Sequence, residues 1–377
     1  MGDGLFSTVR GMRWVKVTLG MPMAKWALPC NKGTAARGDL MEFASLERMA
    51  REGFGLEVSG PTRELAAGNI NRSVVITTDD GAFVLQQLND SVFGDVKAVM
   101  ENVLRVCERL EANNLAAMRF TESVDGLSLV GQEDSWWRCY RYIEGAATPS
   151  IVTPEDAQST ARTFGRFASA IDGLELHEHL AGYHDFDARV AALDAAVAAN
   201  SHDRLSGAEP AIERLISIID RLRLSGGYDA WREAPVRNVH NDAKGPNCIV
   251  GASGARTIID LDTTMPGTLL ADIGELVRSS TRHLDNPTPG EVMAQIEAVN
   301  RGFLAGYGQD LVGPERAAML LAGPLLTTEN SVRFLADHLV GDTYYGAASA
   351  GQNLERAEYQ LALAERLIDA IEWATAG

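Results

Sequence analysis

The sequence predicts an α+β fold of two lobes, on three observations. β-rich runs with one helix fill about 50–145, Ala-, Leu- and Ile-rich helical runs fill the chain after Pro154, and an extended connection lies near Glu144-Gly145. The expected division is 41–145 for a β-rich N-lobe and 146–377 for a helical C-lobe. Residues 1–40 are basic and show little periodicity, so they read as a loosely attached extension or a start-site artefact.

From Asn69 to Asn89 the runs NINRSVVITT and GAFVLQQLN flank Asp79-Asp80-Gly81, a turn signal, and predict a hairpin. Asp95 to Leu115 follows as a helix with Val99, Val103, Val106 and Leu110 on one face. GLSLVG and WWRCYRYIEG read as further strands. EDAQSTARTFGRFASAI, DARVAALDAAVAAN and EPAIERLISIIDRLRL are helices, ARTIIDLDT is a short strand, and helices resume from Asp272, expected to cap the first of them.

Composition narrows the function. The 377-residue chain is 46% hydrophobic and 23% charged, as expected of a globular protein. Its net charge of −17 argues against binding nucleic acid or an anionic membrane surface. It leaves nucleotides open, since a phosphate pocket needs only a few local donors and a metal. Cys30, Cys107, Cys139 and Cys248 lie far apart with no C-x-x-C pair, which fits a reducing cytoplasm. No run of about 18 apolar residues is present. No obligate protein partner is evident.

The chemistry concentrates in VRNVHNDAKGPNCIV, residues 236–250, where apolar arms hold a dense polar centre. Asp242 and Asn247 have the spacing D-x-x-x-x-N, and Asp260 follows in IIDLD. Phosphoryl transfer needs a carboxylate to accept the acceptor's proton, a neutral oxygen ligand a few residues on, and a carboxylate for the metal. That order is the order of a kinase catalytic loop and its metal-binding segment. Singly, Asp and Asn are common turn residues; together and in order they are specific. His240 is expected to order the loop. Asp262, on the same strand, should face the same side as Asp260 and is a second metal candidate.

VHNDAKGPNCIV followed by TIIDLDTTMPGTLLADIGELVR resembles the N-acetylhexosamine 1-kinases, within the aminoglycoside phosphotransferase and choline kinase-like superfamily. GNINRSVVIT, FVLQQLN, GYHDFDAR and ENSVRFLADHLVGDTYYG strengthen the likeness, which covers about 60–370. It implies a bilobal, protein-kinase-like (aminoglycoside phosphotransferase-like) fold. It also implies an ATP- and Mg2+-dependent kinase that phosphorylates the anomeric hydroxyl of a free amino sugar. By matched position Asp242 is the base, and Asn247 and Asp260 hold the metal. The loop over the phosphates runs Gly68 to Ser73, with Asn69, Asn71 and Arg72. Tyr142, Ile143 and Glu144 form the hinge that offers backbone groups to adenine. His184, Arg333, Asp337 and Tyr344 are expected at the acceptor. Arg333 and Asp337, four apart on one helix, could instead form only an ion pair with each other.

There are departures from the family. Ala243 stands where a Thr is usual, and Gly245-Pro246 where Leu-Asn is common. The third strand carries Gln86 and Gln87 rather than the Lys of most kinases, so Lys244 or Arg72 is expected to supply the cation. Two rival readings stay open. One is a kinase of another hydroxylated acceptor, of aminoglycoside, choline or homoserine type. The other is a non-catalytic nucleotide-binding protein, prompted by the absent Lys and opposed by intact Asp242, Asn247 and Asp260.

Overall fold

The structure, a computed structural model, describes residues 43–65, 71–132, 135–149, 151 and 153–376. The expected extension over 1–40 and positions Gly68 and Asn69 of the phosphate loop lie outside them.

A six-stranded antiparallel sheet comes first. Its strands are β1 (Arg63–Glu64), β2 (Arg72–Thr78), β3 (Gly81–Leu88), β4 (Phe120–Thr121), β5 (Val130–Gln132) and β6 (Ser135–Arg141), in the order β1-β2-β3-β6-β4 with β5 paired to β6. The expected hairpin forms: Thr78 pairs with Gly81 across Asp79-Asp80. Gly81, at φ +117°, takes a conformation other residues rarely adopt. The expected GLSLVG strand shrinks to its end, because only Val130–Gln132 finds a partner.

Side-chain alternation splits the sheet's faces. Val74, Ile76, Phe83, Leu85, Trp137 and Cys139 bury one face against α1 (Phe43–Arg48) and its wider-wound continuation Met49–Gly53. Ser73, Gln86 and Arg138 alternate to the other face, in one row across three strands. A short α2 (Asp90–Phe93) leads to α3 (Val96–Ala112), capped by Asp95, which accepts from the amides of Lys97 and Ala98. The predicted Val99, Val103, Val106 and Leu110 are all buried.

The helical region starts at α4 (Pro154–Ile171), opened by a Thr153–Asp156 capping box. It continues through α5 (Phe186–Ala199), α6 (Leu205–Leu224) and α7 (Gly227–Arg232). Two short ribbons follow: β7 (Arg237–Val239) pairs with β10 (Met265–Gly267), and β8 (Cys248–Val250) with β9 (Arg256–Ile258). Then come α8 (Leu269–Thr281), α9 (Pro289–Tyr307), α10 (Gly313–Ala318), α11 (Ala322–Leu339) and α12 (Gln352–Ala376). The strand expected over Ala255–Thr263 stops at Ile258. Asp260 has φ +60° and Leu261–Thr263 is a 3-10 turn, so strand alternation does not relate Asp260 to Asp262.

α4 and α9 meet backbone to backbone. A Cβ on Gly302 or Gly306 would lie 2.2 or 2.1 Å from the carbonyl oxygen of Gln158 or Arg162. The pair places Phe164 and Phe167 against the His240 ring, at centroid distances of 5.5 and 5.6 Å. Ala normally stabilises a helix over Gly by about 1 kcal/mol. Here the clash is with rigid backbone, so Gly306→Ala should instead destabilise by ~1–3 kcal/mol. Urea unfolding checks the sign.

Candidate active site

The loop after β7 is held from below by one carboxylate. Asp272 is fully buried and accepts the amides of His240 at 2.9 Å and Asn241 at 2.8 Å. It is therefore not the helix cap expected from sequence; Thr268 caps α8 by accepting the Leu270 amide. Asn241 turns the chain at φ +64°, and its side-chain amide donates to the Thr263 carbonyl. His240 Nδ1 accepts the Asp242 amide at 3.3 Å, which leaves Nε2–H to donate to the Ile259 carbonyl at 3.0 Å. His240 thus ties the Asp242 loop to the Asp260 segment.

Asp242 Oδ2 accepts from Lys244 Nζ at 2.7 Å and from Asn247 Nδ2 at 3.0 Å. Its Oδ1 has no protein partner among these bonds. Burial opposes the Lys244 charge, but Asp242, Glu275 and Asp260 outweigh it and hold the pKa above the ordinary lysine value. Because Asn247 donates through nitrogen, its Oδ1 is left for another partner. The β8–β9 ladder pairs Cys248 with Ile258, and the Ile259 amide donates to the Asn247 carbonyl at 2.9 Å, so Asn247 and Asp260 sit at adjacent strand ends.

Asp260 is solvent-exposed at one edge and accepts no hydrogen bond from the described residues. Partial withdrawal from water, then the Asp262 and Asp242 carboxylates, push its pKa up to about 6, against the pull of Lys244 and Arg138. Two uncommitted hard oxygen donors with excess negative charge fit a magnesium ion, which usually takes one or two protein ligands and completes its shell with phosphate and water.

Asp262 is differently placed. Its oxygens accept from Arg138 Nη1 at 2.6 Å and Nη2 at 2.9 Å, and from Asn71 Nδ2 at 2.7 Å. That commits both oxygens and removes Asp262 from the expected metal pair. Ser73 accepts from Gln86 Nε2 at 2.8 Å. Arg72 pairs outward with Glu64 at 3.0 Å, so it is not the missing cation. In the connecting segment, the Tyr142 amide donates to Ala82, while the carbonyls of Ile143 and Glu144 accept from Ala146 and Ala252. The amides of Ile143 and Glu144 take no part in these bonds. Tyr142 and Ile143 also line a cavity of about 550 Å³ with Glu111, Arg119, Gly251 and Thr257, which Asp242, Asn247 and Asp260 do not reach.

On the other side of the loop, His184 joins Glu329 at 3.0 Å through Nδ1 and reaches the Asn241 carbonyl at 3.1 Å through Nε2. Arg333 lies between two rings, 5.3 Å from the Tyr183 centroid and 5.5 Å from that of Tyr345. It makes no ion pair with Asp337. Asp337 accepts instead from the amides of Tyr344 and Tyr345 and from Asn353 Nδ2, at 2.8, 2.9 and 2.9 Å. It clamps the 343–345 turn, is 4% exposed, and has little left to offer a ligand. Tyr344 packs edge-on against Tyr345 at 4.6 Å. His177 and His179 go elsewhere, to Glu101 and to the Asp262 carbonyl.

Sequence reasoning missed Arg138, Tyr183, Glu329 and Tyr345. Glu329 precedes Arg333 by four residues on one helix, a spacing that could have signalled it. Arg138 carried no local signal, because its partner is 124 residues away.

A sequence model of the phosphotransferase enzyme family matches residues 61–320. Among solved structures, an aminoglycoside phosphotransferase from Alicyclobacillus acidocaldarius is similar at 14% identity and a TM-score of 0.60, over 90% of this chain and 96% of its own. A microcompartment-associated aminopropanol kinase is similar at 16% and 0.59, over 87% and 98%. An amicoumacin kinase, solved in complex with AMP-PNP, Ca2+ and Ami, is similar at 15% and 0.57, over 89% and 94%. At such identities the likeness is one of fold: a kinase-like mixed α/β arrangement of a sheet lobe and a helix-rich region. None of the described helices is long and apolar enough to cross a membrane.

Removing the Asp272 carboxylate leaves two buried amides without an acceptor, each worth ~1–3 kcal/mol. Asp272→Ala should therefore lower unfolding free energy by several kcal/mol in urea titrations. A loss under 1 kcal/mol would mean that another group takes its place.

The His184–Glu329 pair has a pH signature. Burial opposes the His184 charge, but Glu329 outweighs it and raises the pKa; burial likewise opposes the Glu329 charge, and His184 outweighs it and lowers that pKa. The histidine contribution is fully present below the unfolded value of about 6.5 and is lost as pH rises through the folded value. The glutamate contribution is present above about 4.3 and is lost as pH falls through the folded value. Stability should plateau between these limits and decline on both sides, on the acid side as Glu329 is protonated and on the alkaline side as His184 loses its proton. His184→Gln should remove the alkaline decline, as read from unfolding free energy against pH.

Proposed function

This chain belongs to the phosphotransferase enzyme family, and from that premise we propose that it transfers the γ-phosphate of ATP to the anomeric hydroxyl of an N-acetylhexosamine. The observation that carries the acceptor class is the charge beside the catalytic loop. Arg333 and Arg189 both lie close enough to Glu329 to lower its pKa, as does His184, whose own pKa is raised. Arg333, Arg189 and His184 thus gather around the Glu329 carboxylate, in a protein of net charge −17. A cationic acceptor would be repelled there. A neutral sugar would find aromatic faces at Tyr183 and Tyr345 and fixed polar groups for its hydroxyls.

In this reading, Asp242 Oδ1 accepts the proton of the attacking hydroxyl, and Lys244 and Asn247 fix the carboxylate through Oδ2. His184, hydrogen-bonded to the Asn241 carbonyl, sets the distance between acceptor site and catalytic loop. Lys244 is the cation nearest the base and would meet the transferred phosphoryl oxygens. Asn247 and Asp260 would hold magnesium, which when bound neutralises phosphate charge. The Ile143 and Glu144 amides are the hinge donors for adenine. Asn71 and Ser73 shape the phosphate loop, with Gln86 behind Ser73. The lobes divide near 145.

The test is coupled ATP consumption with N-acetylglucosamine, N-acetylgalactosamine, choline and an aminoglycoside, with the product phosphate located by NMR. The sugars should be turned over and the cations should not; efficient turnover of choline or an aminoglycoside would sink the assignment. Asp242→Asn should lower kcat by ~10²-fold or more while retaining nucleotide binding. Arg333→Ala should raise sugar KM ~10-fold with ATP KM little changed.

A further inference from the structure

The third strand carries Gln86 where a kinase places its lysine, yet the space beneath the sheet is not without a cation. Arg138 lies directly opposite Gln86 on β6. Its side chain is 3% exposed, and that of its partner Asp262 is 2% exposed. We propose that Arg138 is the positioning residue that replaces the third-strand lysine, fixing the phosphate loop and the metal-binding segment against each other.

The chain of bonds runs as follows. Arg138 Nε donates to Gln86 Oε1 at 2.8 Å, and Gln86 donates on to Ser73 at 2.8 Å. Both Nη atoms of Arg138 donate to Asp262, which also accepts from Asn71, and Asn71 Oδ1 accepts the Asn89 amide at 3.0 Å. Ser73 and Asn71 belong to the phosphate loop; Asp262 follows Asp260 by two residues. One guanidinium therefore ties Asn71 and Ser73, the described end of that loop, to the segment that carries Asp260. In protein kinases the lysine pairs with a helix glutamate. Here the α3 side chain that reaches the segment after Asp262 is Asn102, hydrogen-bonded to the Thr264 carbonyl at 3.1 Å and the His177 carbonyl at 2.8 Å. The anionic partner of Arg138 lies two residues after Asp260, not on α3.

Desolvation makes such a buried pair weak as a source of stability, but it fixes geometry through three directed hydrogen bonds. Lysine cannot replace it: a single ammonium has no planar fork to span both oxygens of Asp262 while reaching Gln86.

The inference rests on the kinase reading and on Asp260 as a metal ligand, and it does not depend on the acceptor. Calorimetry on the full chain therefore titrates ATP with and without Mg2+, with no sugar present. Arg138→Met combined with Asp262→Asn removes both charges, so no buried ion is stranded. This variant should melt near the wild-type temperature yet bind MgATP at least ~10-fold more weakly, with metal-free ATP affinity changed less than ~3-fold. Arg138→Lys, which keeps the charge, should lie between, at ~3- to 10-fold. A folded double variant or Arg138→Lys binding MgATP as tightly as wild type would overturn the proposal. If the double variant fails to fold, Arg138→Lys decides alone. Wild-type protein that bound no MgATP would overturn both this and the kinase reading; MgATP binding without sugar turnover would count only against the sugar.

Discussion

The catalytic loop is shaped by the buried carboxylate of Asp272. Two consecutive amides, of His240 and Asn241, point down into α8 and need an acceptor where no water reaches. Asp272 supplies both bonds, which allows Asn241 to take a left-handed backbone conformation and turns Asp242 outward. Burial pushes the Asp272 pKa up, opposed by His240 and by the two amides it accepts. A carboxylate in this position costs desolvation and returns a fixed backbone. Once that backbone is set, His240 can bridge to Ile259 and the β8–β9 ribbon can bring Asn247 beside Asp260.

The distribution of charge follows from that placement. Asp242, Asp260 and Asp262 crowd one region, and mutual repulsion contributes to the raised pKa of Asp260. Two cations divide the relief. Arg138 takes Asp262 wholly, through both of its oxygens, and Lys244 takes one oxygen of Asp242. What stays uncommitted is Asp260, Oδ1 of Asp242 and Oδ1 of Asn247. In the proposed reading these are the groups left for a metal and an acceptor hydroxyl, while the ion pairs place Asp262 and one oxygen of Asp242 with protein cations.

The acceptor side shows the same logic with the sign reversed. His184 touches both Glu329 and the Asn241 carbonyl, so in the proposed reading the acceptor site is tied to the position of Asp242. Arg333 is held against the faces of two tyrosines, with the Glu329 carboxylate close enough to act on it. Asp337 builds the turn that carries Tyr345 into place. A residue expected to meet ligand thus acts one step behind it.

The hairpin of Arg72–Thr78 with Gly81–Leu88, the helix after Asp95, the helices after Pro154 and the order Asp242, Asn247, Asp260 were all legible in the sequence, because each rests on local periodicity, capping or spacing within a few residues. The loop-ordering role of His240 was legible only in part: its bond to the Asp242 amide is local, while Ile259 and Asp272 come from distant segments. Tertiary structure alone decided the duties of Asp262, Asp272, Arg138 and Asp337. Asp262 looked like the twin of Asp260 while the strand was assumed to continue, and the left-handed turn at Asp260 ended that symmetry. Asp272 looked like a cap because Asp before a helical run usually is one; its real partners lie 31 and 32 residues earlier. Local patterns report on energies exchanged between chain neighbours. A buried ion pair or a carboxylate–amide bond forms only after distant segments exclude water together, so nothing in the nearby sequence need mark it.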